Sequence, residues 1–219
     1  MKFSERRNEN RAMPNRNPIA IGMRNITHWI CDGLRNIFIR GSREETPTRG
    51  SSEDAQRQVI IPKQYRELYK QTPNYTRGTE ITPTAVVLHH TSGSYAGSVD
   101  WCTKTVSQVS YHCIIKRDGE RTVLAADNQR AWHAGKSYWR NKTDLNSWSL
   151  GVAFEGDSYK EPLSLDMINS AIEYLLPRMK KLSLTIKDIT DHRTVSPNRK
   201  DDLNPIQFNR FIEELKKHI

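Results

Sequence analysis

Seven histidines in a chain of 219 residues are the side chains best suited to metal or acid–base chemistry, and two of them are adjacent. His89 and His90 end an apolar, β-branched run, Thr84-Ala85-Val86-Val87-Leu88-His89. Side chains alternate across a strand, so only one of the pair can share the Val87 face. A third histidine, His192, opens a polar segment, Asp191-His192-Arg193-Thr194-Val195-Ser196-Pro197-Asn198-Arg199-Lys200-Asp201-Asp202. Two neutral imidazoles plus a carboxylate ten residues beyond His192 form a ligand set that recurs in catalytic zinc sites with an open position. Spacing alone leaves a competing reading in place. A single strand-end histidine is more often structural, and a charged, aperiodic segment is more often a solvated loop.

Elements that could position these residues are legible around them. Thr84–His89 reads as a buried strand. Ser110–Lys116 reads as a second, closed by an Arg117-Asp118-Gly119 turn into Thr122–Ala125 as a hairpin. Leu150–Phe154 reads as a third core strand, and residues 97–107 suit a short helix. Ser164–Leu182 is amphipathic, with Leu165, Ile168, Ile172, Leu175 and Met179 on one face, Ser164 as N-cap and Pro177 expected to kink its end. A last helix starts at Asn204-Pro205 and is expected to bury Phe208, Phe211, Ile212 and Leu215. Strands and helices interleave without repeats. The expected fold is one α/β domain, residues 58–219, with a central mixed β-sheet flanked by helices.

Composition narrows the classes. The chain carries 34 Lys+Arg against 25 Asp+Glu, a net charge of +9, with 36% hydrophobic residues. Residues 1–50 hold ten Lys/Arg and five Asp/Glu, so +5 of the +9 sits in under a quarter of the chain. That leaves no domain-wide basic surface, and no specific nucleic-acid partner is expected. Residues 1–57 read as a basic, partly disordered arm with an apolar stripe (Ile26, Trp29, Ile30, Leu34, Ile37, Phe38) and a polar linker from 41 to 57. The stripe is too short to span a bilayer; it suits an anionic membrane or wall surface, or docking on the main domain. No apolar run follows the basic N-terminus, so no secretory signal is read there. Three cysteines, Cys31, Cys102 and Cys113, read as free thiols rather than a disulfide framework. Nothing in the sequence sets the oligomeric state.

Five further motifs occur in a fixed order. They are Val86-Val87-Leu88-His89-His90-Thr91; Tyr111-His112-Cys113-Ile114-Ile115-Lys116-Arg117-Asp118-Gly119; Ala131-Trp132-His133-Ala134-Gly135; Asn146 before Ser149-Leu150-Gly151; and His192 with Ser196-Pro197, Lys200 and Asp202. From about residue 80 to 215 the chain thereby resembles the zinc-dependent N-acetylmuramoyl-L-alanine amidases of the amidase-2/peptidoglycan-recognition-protein superfamily. The resemblance implies one zinc ion per chain, with His89, His192 and Asp202 as ligands; Asp201 is the neighbour most easily mistaken for the third. It implies catalytic roles for Lys200, beside the metal, and for Tyr111, which matches the phage-lysozyme-like branch. Trp132 and His133 are expected to line the substrate groove with His90, and Asn146 either contacts substrate or caps a turn. His112, across the strand from Tyr111, is expected to be structural, and Cys113 to share the Tyr111 face.

The activity so implied is hydrolysis of the amide between N-acetylmuramic acid and L-alanine in peptidoglycan, for cell-wall lysis by an endolysin or delivered effector. Such a protein would be made in a cytoplasm and act at the bacterial wall. Recycling amidases of the superfamily carry a Glu directly after the Ile-Gly-Ile strand motif. This chain has Ala153 there, with Glu155 two residues on as an alternative carboxylate. Two other readings stay open: a non-catalytic peptidoglycan-recognition module, and a cytosolic amidase acting on soluble muropeptides.

Overall fold

The computed structural model describes residues 64–219. The basic arm, its Trp29 stripe, Cys31 and the boundary expected at residues 57–58 lie outside the described residues.

Among the described residues ten strands and four α-helices follow one another along the chain. β1 (Glu67–Tyr69), β2 (Tyr75–Glu80) and β3 (Ala85–His90) lead into α1 (Tyr95–Cys102). β4 (Cys113–Ile115), β5 (Arg121–Val123), β6 (Gln129–Ala131), β7 (Tyr138–Trp139), β8 (Lys142–Thr143) and β9 (Ser149–Phe154) come next. The long α2 (Leu165–Leu182), β10 (Ile189–Asp191), one-turn α3 (His192–Val195) and α4 (Pro205–Leu215) complete it. Six strands form one mixed sheet in the order β1-β5-β4-β9-β3-β10, in which only the β4–β5 hairpin is antiparallel. β2 pairs with β6, and β7 with β8, in two small antiparallel ribbons.

The central strands are apolar on both faces because both faces are covered, as parallel sheets require. Every residue of β3 and of β9 is buried. Val86, Leu88, Leu150, Val152 and Phe154 pack on one side against Ile168, Leu175 and Met179 of α2 and Phe211 and Leu215 of α4. Each such side chain, fully buried, contributes about 1.5–3 kcal/mol. On the other side Val87 meets Ala134, Leu145 and Val195. The sheet therefore has a packing face and a face that carries the histidines.

Local chemistry sets the ends of these elements. Ser164 Oγ accepts from the Met167 N–H at 3.0 Å, and the helix it caps runs through Pro177 to Leu182. Asn204 Oδ1 caps α4 by accepting from Ile206 N–H at 2.9 Å, with Pro205 in the first turn. Phe211 and Leu215 are buried, whereas Phe208 and Ile212 are only partly so. In the β4–β5 turn Gly119 holds φ +88°, and a Cβ there would lie 2.2 Å from the Tyr65 ring, so both backbone and space demand glycine.

Three expectations need correction. The helix expected over 97–107 runs from Tyr95 to Cys102 and is followed by a separate 3₁₀ turn, Thr105–Ser107. The polar segment from Asp191 is not a loop throughout: it begins in the edge strand β10 and the turn α3, where Asp191 caps its own helix. Strand alternation also fails between Tyr111 and Cys113. The chain bends at His112, so Cys113 joins the α2 side of the sheet while Tyr111 packs near Ile114 on the other. Cys102 and Cys113 are free and buried, and burial pushes the Cys102 thiol up to about 12. Among the described residues no helix is long and apolar enough to cross a membrane.

Candidate metal centre and groove

β10 lies alongside β3 in parallel, with Asp191 opposite Leu88. The residue after each of those two is a histidine. His89 at the end of β3 and His192 at the start of α3 are thus brought side by side from 103 positions apart, with Nδ1 atoms 3.0 Å from each other. Asp202 Oδ2 lies 3.1 Å from His89 Nδ1 and 3.2 Å from His192 Nδ1. All three side chains are buried. Asp201 is outside this cluster: it is exposed, and its main-chain carbonyl accepts from the Tyr159 hydroxyl at 3.1 Å.

The hydrogen bonds behind the cluster fix where its protons sit. His192 Nε2 faces the Ala134 carbonyl at 3.0 Å, which can only accept, and the Arg199 Nη2 donor at 3.3 Å. The carbonyl is the nearer partner, and Arg199 Nη2 donates to that same carbonyl at 2.6 Å, so we assign the proton to Nε2 and the lone pair to Nδ1. His89 Nε2 faces His133 Nδ1 at 3.1 Å, and His133 Nε2 faces the Ser149 carbonyl at 3.3 Å. That carbonyl makes His133 Nε2 the donor, His133 Nδ1 the acceptor, and His89 Nε2 the donor to it. His89 Nδ1 is then also a bare lone pair. Burial, together with neighbouring His192, lowers the His89 pKa to about 4, so it is neutral at physiological pH.

With these tautomers three electron-pair donors converge, an arrangement suited to a cation. A tetrahedral zinc with bonds of about 2.0–2.1 Å needs ligand atoms about 3.3 Å apart. The observed separations of 3.0–3.2 Å fit that set.

The cluster forms the floor of a groove of about 280 Å³, whose walls include His90, Gln108, Tyr111, Trp132, Arg199, Lys200 and Asp201. Tyr111 lies over the His89 ring at 5.1 Å; burial, and then the charge of Asp202, push its hydroxyl well above the usual value, so it remains a donor. Lys200 is exposed at the rim. Trp132 lines the groove while its indole N–H donates to Thr76 Oγ1 at 3.0 Å. His90 also lines it; its Nδ1 accepts from Ser158, leaving the Nε2 proton free of that contact. A larger apolar hollow of about 820 Å³ beside the end of α2, with Leu176, Met179 and Leu184 in its wall, shares no residue with this groove.

Two of the residues expected near substrate are held mainly by the protein itself. His133 touches the groove but is 4% exposed and stands directly behind His89. Asn146 is buried beneath the wall, where its Oδ1 accepts from the His133 and Ala134 N–H groups at 3.0 and 2.7 Å. Those bonds hold the Trp132–Gly135 segment and explain why a polar side chain is buried there. Glu155 is likewise occupied, accepting from the N–H groups of Tyr95 and Arg117 at 2.9 and 2.8 Å.

Arg199 was not singled out by its sequence, because it sits in a charged run. Its Nη2 donates to the carbonyls of Ala134 and Lys136 and to Ser196 Oγ at 2.6, 3.0 and 2.7 Å, tying the Asp202 segment to the segment that orients His192.

His112 is structural, as expected. Its Nδ1 accepts from Gly151 N–H at 2.9 Å and its Nε2 donates to the Gln129 carbonyl at 3.0 Å. Burial lowers its pKa from 6.5 to about 4. Between those values the unfolded chain binds the extra proton, so this contribution to stability is complete above pH 6.5 and lost as pH falls towards 4, at about 1.4 kcal/mol per unit. Denaturant titrations of His112→Gln should show a shallower loss of stability across that window than the parent; equal slopes would contradict the assignment.

Comparisons with known proteins bear on the family and the fold. The Amidase_2 profile, described as N-acetylmuramoyl-L-alanine amidase, matches residues 79–205. The 1,6-anhydro-N-acetylmuramyl-L-alanine amidase AmpD of Haemophilus influenzae is 33% identical over 111 residues, 50% of this chain and 60% of that protein. Its Escherichia coli counterpart is 30% identical over 159 residues, covering 61% of this chain and 83% of its own length. The fold superimposes on the N-acetylmuramyl-L-alanine amidase AmiD from E. coli, solved with anhydro-N-acetylmuramic acid-L-Ala-D-gamma-Glu-L-Lys. The TM-score is 0.56 at 22% identity, over 64% of this chain and 60% of that one. With the profile spanning more than half of its length and every element of the sheet in place, the chain belongs to the Amidase_2 family of N-acetylmuramoyl-L-alanine amidases.

Proposed function

We propose that the protein is a zinc-dependent amidase that hydrolyses the bond between N-acetylmuramic acid and L-alanine in peptidoglycan. The observation that carries the proposal is the convergence of three unprotonated donors, His89 Nδ1, His192 Nδ1 and an Asp202 oxygen, on the floor of a groove. Two neutral imidazoles and one carboxylate would hold Zn²⁺ with a net charge of +1. When bound there, zinc supplies Lewis-acid charge that acidifies a water molecule and polarises the scissile carbonyl. Water adds to the lactyl carbonyl carbon, the C–N bond breaks, and the nitrogen leaves as the amino terminus of L-alanine with a proton.

The chain's own residues orient and stabilise that exchange. Lys200 and the Tyr111 hydroxyl, both on the groove, are donors for the oxygen that gains charge or for the departing nitrogen. Trp132 and His90 form the wall against which sugar and peptide lie. His192 and His89 are held in their ligating tautomers from behind, so no reorganisation is required as the substrate arrives.

The proposed role is wall lysis, supported by Tyr111 in the groove and by the buried Ala153 where recycling amidases carry Glu. The arm over residues 1–57 is proposed to bring the enzyme to an anionic membrane or wall surface. A second reading, action on soluble muropeptides, is favoured by the AmpD relatives, which are named as 1,6-anhydro-N-acetylmuramyl-L-alanine amidases. Digestion of intact sacculi and of soluble anhydro-muropeptides, with products identified by mass spectrometry, separates them. Release of a free L-alanine amino terminus from sacculi in a zinc-dependent manner is expected. Cleavage confined to the soluble substrate transfers the assignment to recycling, and cleavage of neither by the zinc-loaded protein leaves only a binding module.

A further inference from the structure

We infer that His133 is a positioning residue for the metal site, selecting the nitrogen that His89 presents, and that Gly151 is the residue that gives it room. The inference rests on the zinc reading above. Its starting point is the terminal acceptor of the relay, the Ser149 carbonyl 3.3 Å from His133 Nε2. The Ser149 hydroxyl, 3.5 Å away, cannot reverse the direction, because its proton is given to the Leu145 carbonyl at 2.6 Å. His133 Nε2 therefore donates, His133 Nδ1 accepts, and His89 is left with its lone pair on Nδ1.

The His133 ring is held on every side that matters to this direction. Its main-chain N–H is fixed by Asn146. Its ring stands edge-on to His89, with centroids 5.2 Å apart and an interplanar angle of 85°, and packs on His112 at 5.7 Å. Beneath it lies Gly151, where a Cβ would come within 2.4 Å of His133 Cγ and 2.7 Å of Nδ1. Here glycine is required for space. Any larger residue at 151 pushes the ring off the line between His89 and Ser149.

The two histidine ligands are consequently keyed in different ways. His192 takes its tautomer from a main-chain carbonyl, Ala134, which no substitution removes. His89 takes its tautomer from a side chain, and that side chain can be replaced. Partners of this kind typically govern metal affinity by about 10–100-fold.

The test compares zinc affinity, by competition with a chromophoric chelator, for the full-length parent, His133→Asn, His133→Gln and Gly151→Ala. The absorption spectrum of the cobalt-substituted proteins reports the ligand set directly. In His133→Asn the amide oxygen stands close to the former Nδ1 and accepts from His89. In His133→Gln the amide reaches the former Nε2 position and leaves His89 Nε2 without its acceptor. The expected result is a loss of about 10–100-fold in affinity for the Gln variant, recovery of most of it in the Asn variant, and a loss like that of Gln in Gly151→Ala. Equal affinity in all four, or equal loss in Asn and Gln, overturns the inference while the zinc reading stands. A parent that binds no zinc overturns both. If Gly151→Ala does not fold, the Asn–Gln comparison decides alone.

Discussion

Asp202→Ala is expected to leave the purified protein without stoichiometric zinc and to lower kcat/KM by more than about 10³-fold. The loss exceeds the 10²–10³ that removal of a single oxyanion donor costs, because the ion itself goes. Asp202 is the only anion among the three converging side chains. Without it, two neutral imidazoles face a dication in a buried site, with one ligand fewer and no charge compensation. The adjacent Asp201→Ala is the natural control. That residue is exposed, and what it contributes to the fold is a main-chain carbonyl, which alanine retains. Metal content by plasma mass spectrometry, with product formation from sacculi, reads both variants. Zinc retained at one per chain in Asp202→Ala, or lost in Asp201→Ala, contradicts the ligand assignment.

Lys200→Ala is expected to behave differently: zinc retained, KM little changed, and kcat reduced by about 10²–10³-fold. Its ammonium is exposed at the rim of the groove and takes no part in holding the three ligands together. The main chain beneath it is anchored by its neighbour Arg199, so loss of the lysine side chain leaves the loop in place. Tyr111→Phe removes the second donor and should fall in the same direction. Single-turnover measurements on the zinc-loaded proteins check the split between kcat and KM. A rise in KM at constant kcat would make Lys200 a substrate-binding group rather than one that acts on the developing charge.

The central strands were legible in the sequence because burial on both faces writes an unbroken apolar run, as in Ala85–Leu88 and Leu150–Phe154. Helix caps at Ser164 and Asn204 were legible for a similar reason: a side-chain acceptor must meet the free N–H groups of the first turn. β10 was not. Its three residues, Ile189–Asp191, carry too short a pattern to distinguish an edge strand from the polar segment that follows. The candidate ligand set is implied by the family resemblance, since spacing alone leaves a solvated loop ahead, and its meeting point depends on the β3–β10 register, which is a tertiary fact. His133 and Asn146 illustrate the same limit. The sequence reads His133 as lining the groove and Asn146 as a substrate contact or a turn cap, whereas their hydrogen-bond partners, His89 Nε2 and the N–H groups of 133 and 134, are visible only in three dimensions. Tyr111 and Cys113 were misplaced relative to each other because alternation was carried across a bend.

The position of β10 at the margin of the sheet has a kinetic consequence. Its neighbour on one side is β3, and on the other there is no strand among the described residues. The two imidazoles stand on opposite banks of that outermost seam, immediately beyond the rung where Asp191 meets Leu88. Short marginal strands fray more readily than central ones. For the zinc proposed above, peeling of these three residues would part the imidazoles, so fraying of the seam is expected to speed loss of the ion. A bound ion would in turn hold the seam shut, and zinc addition is expected to slow solvent exchange at the amides of Ile189–Asp191.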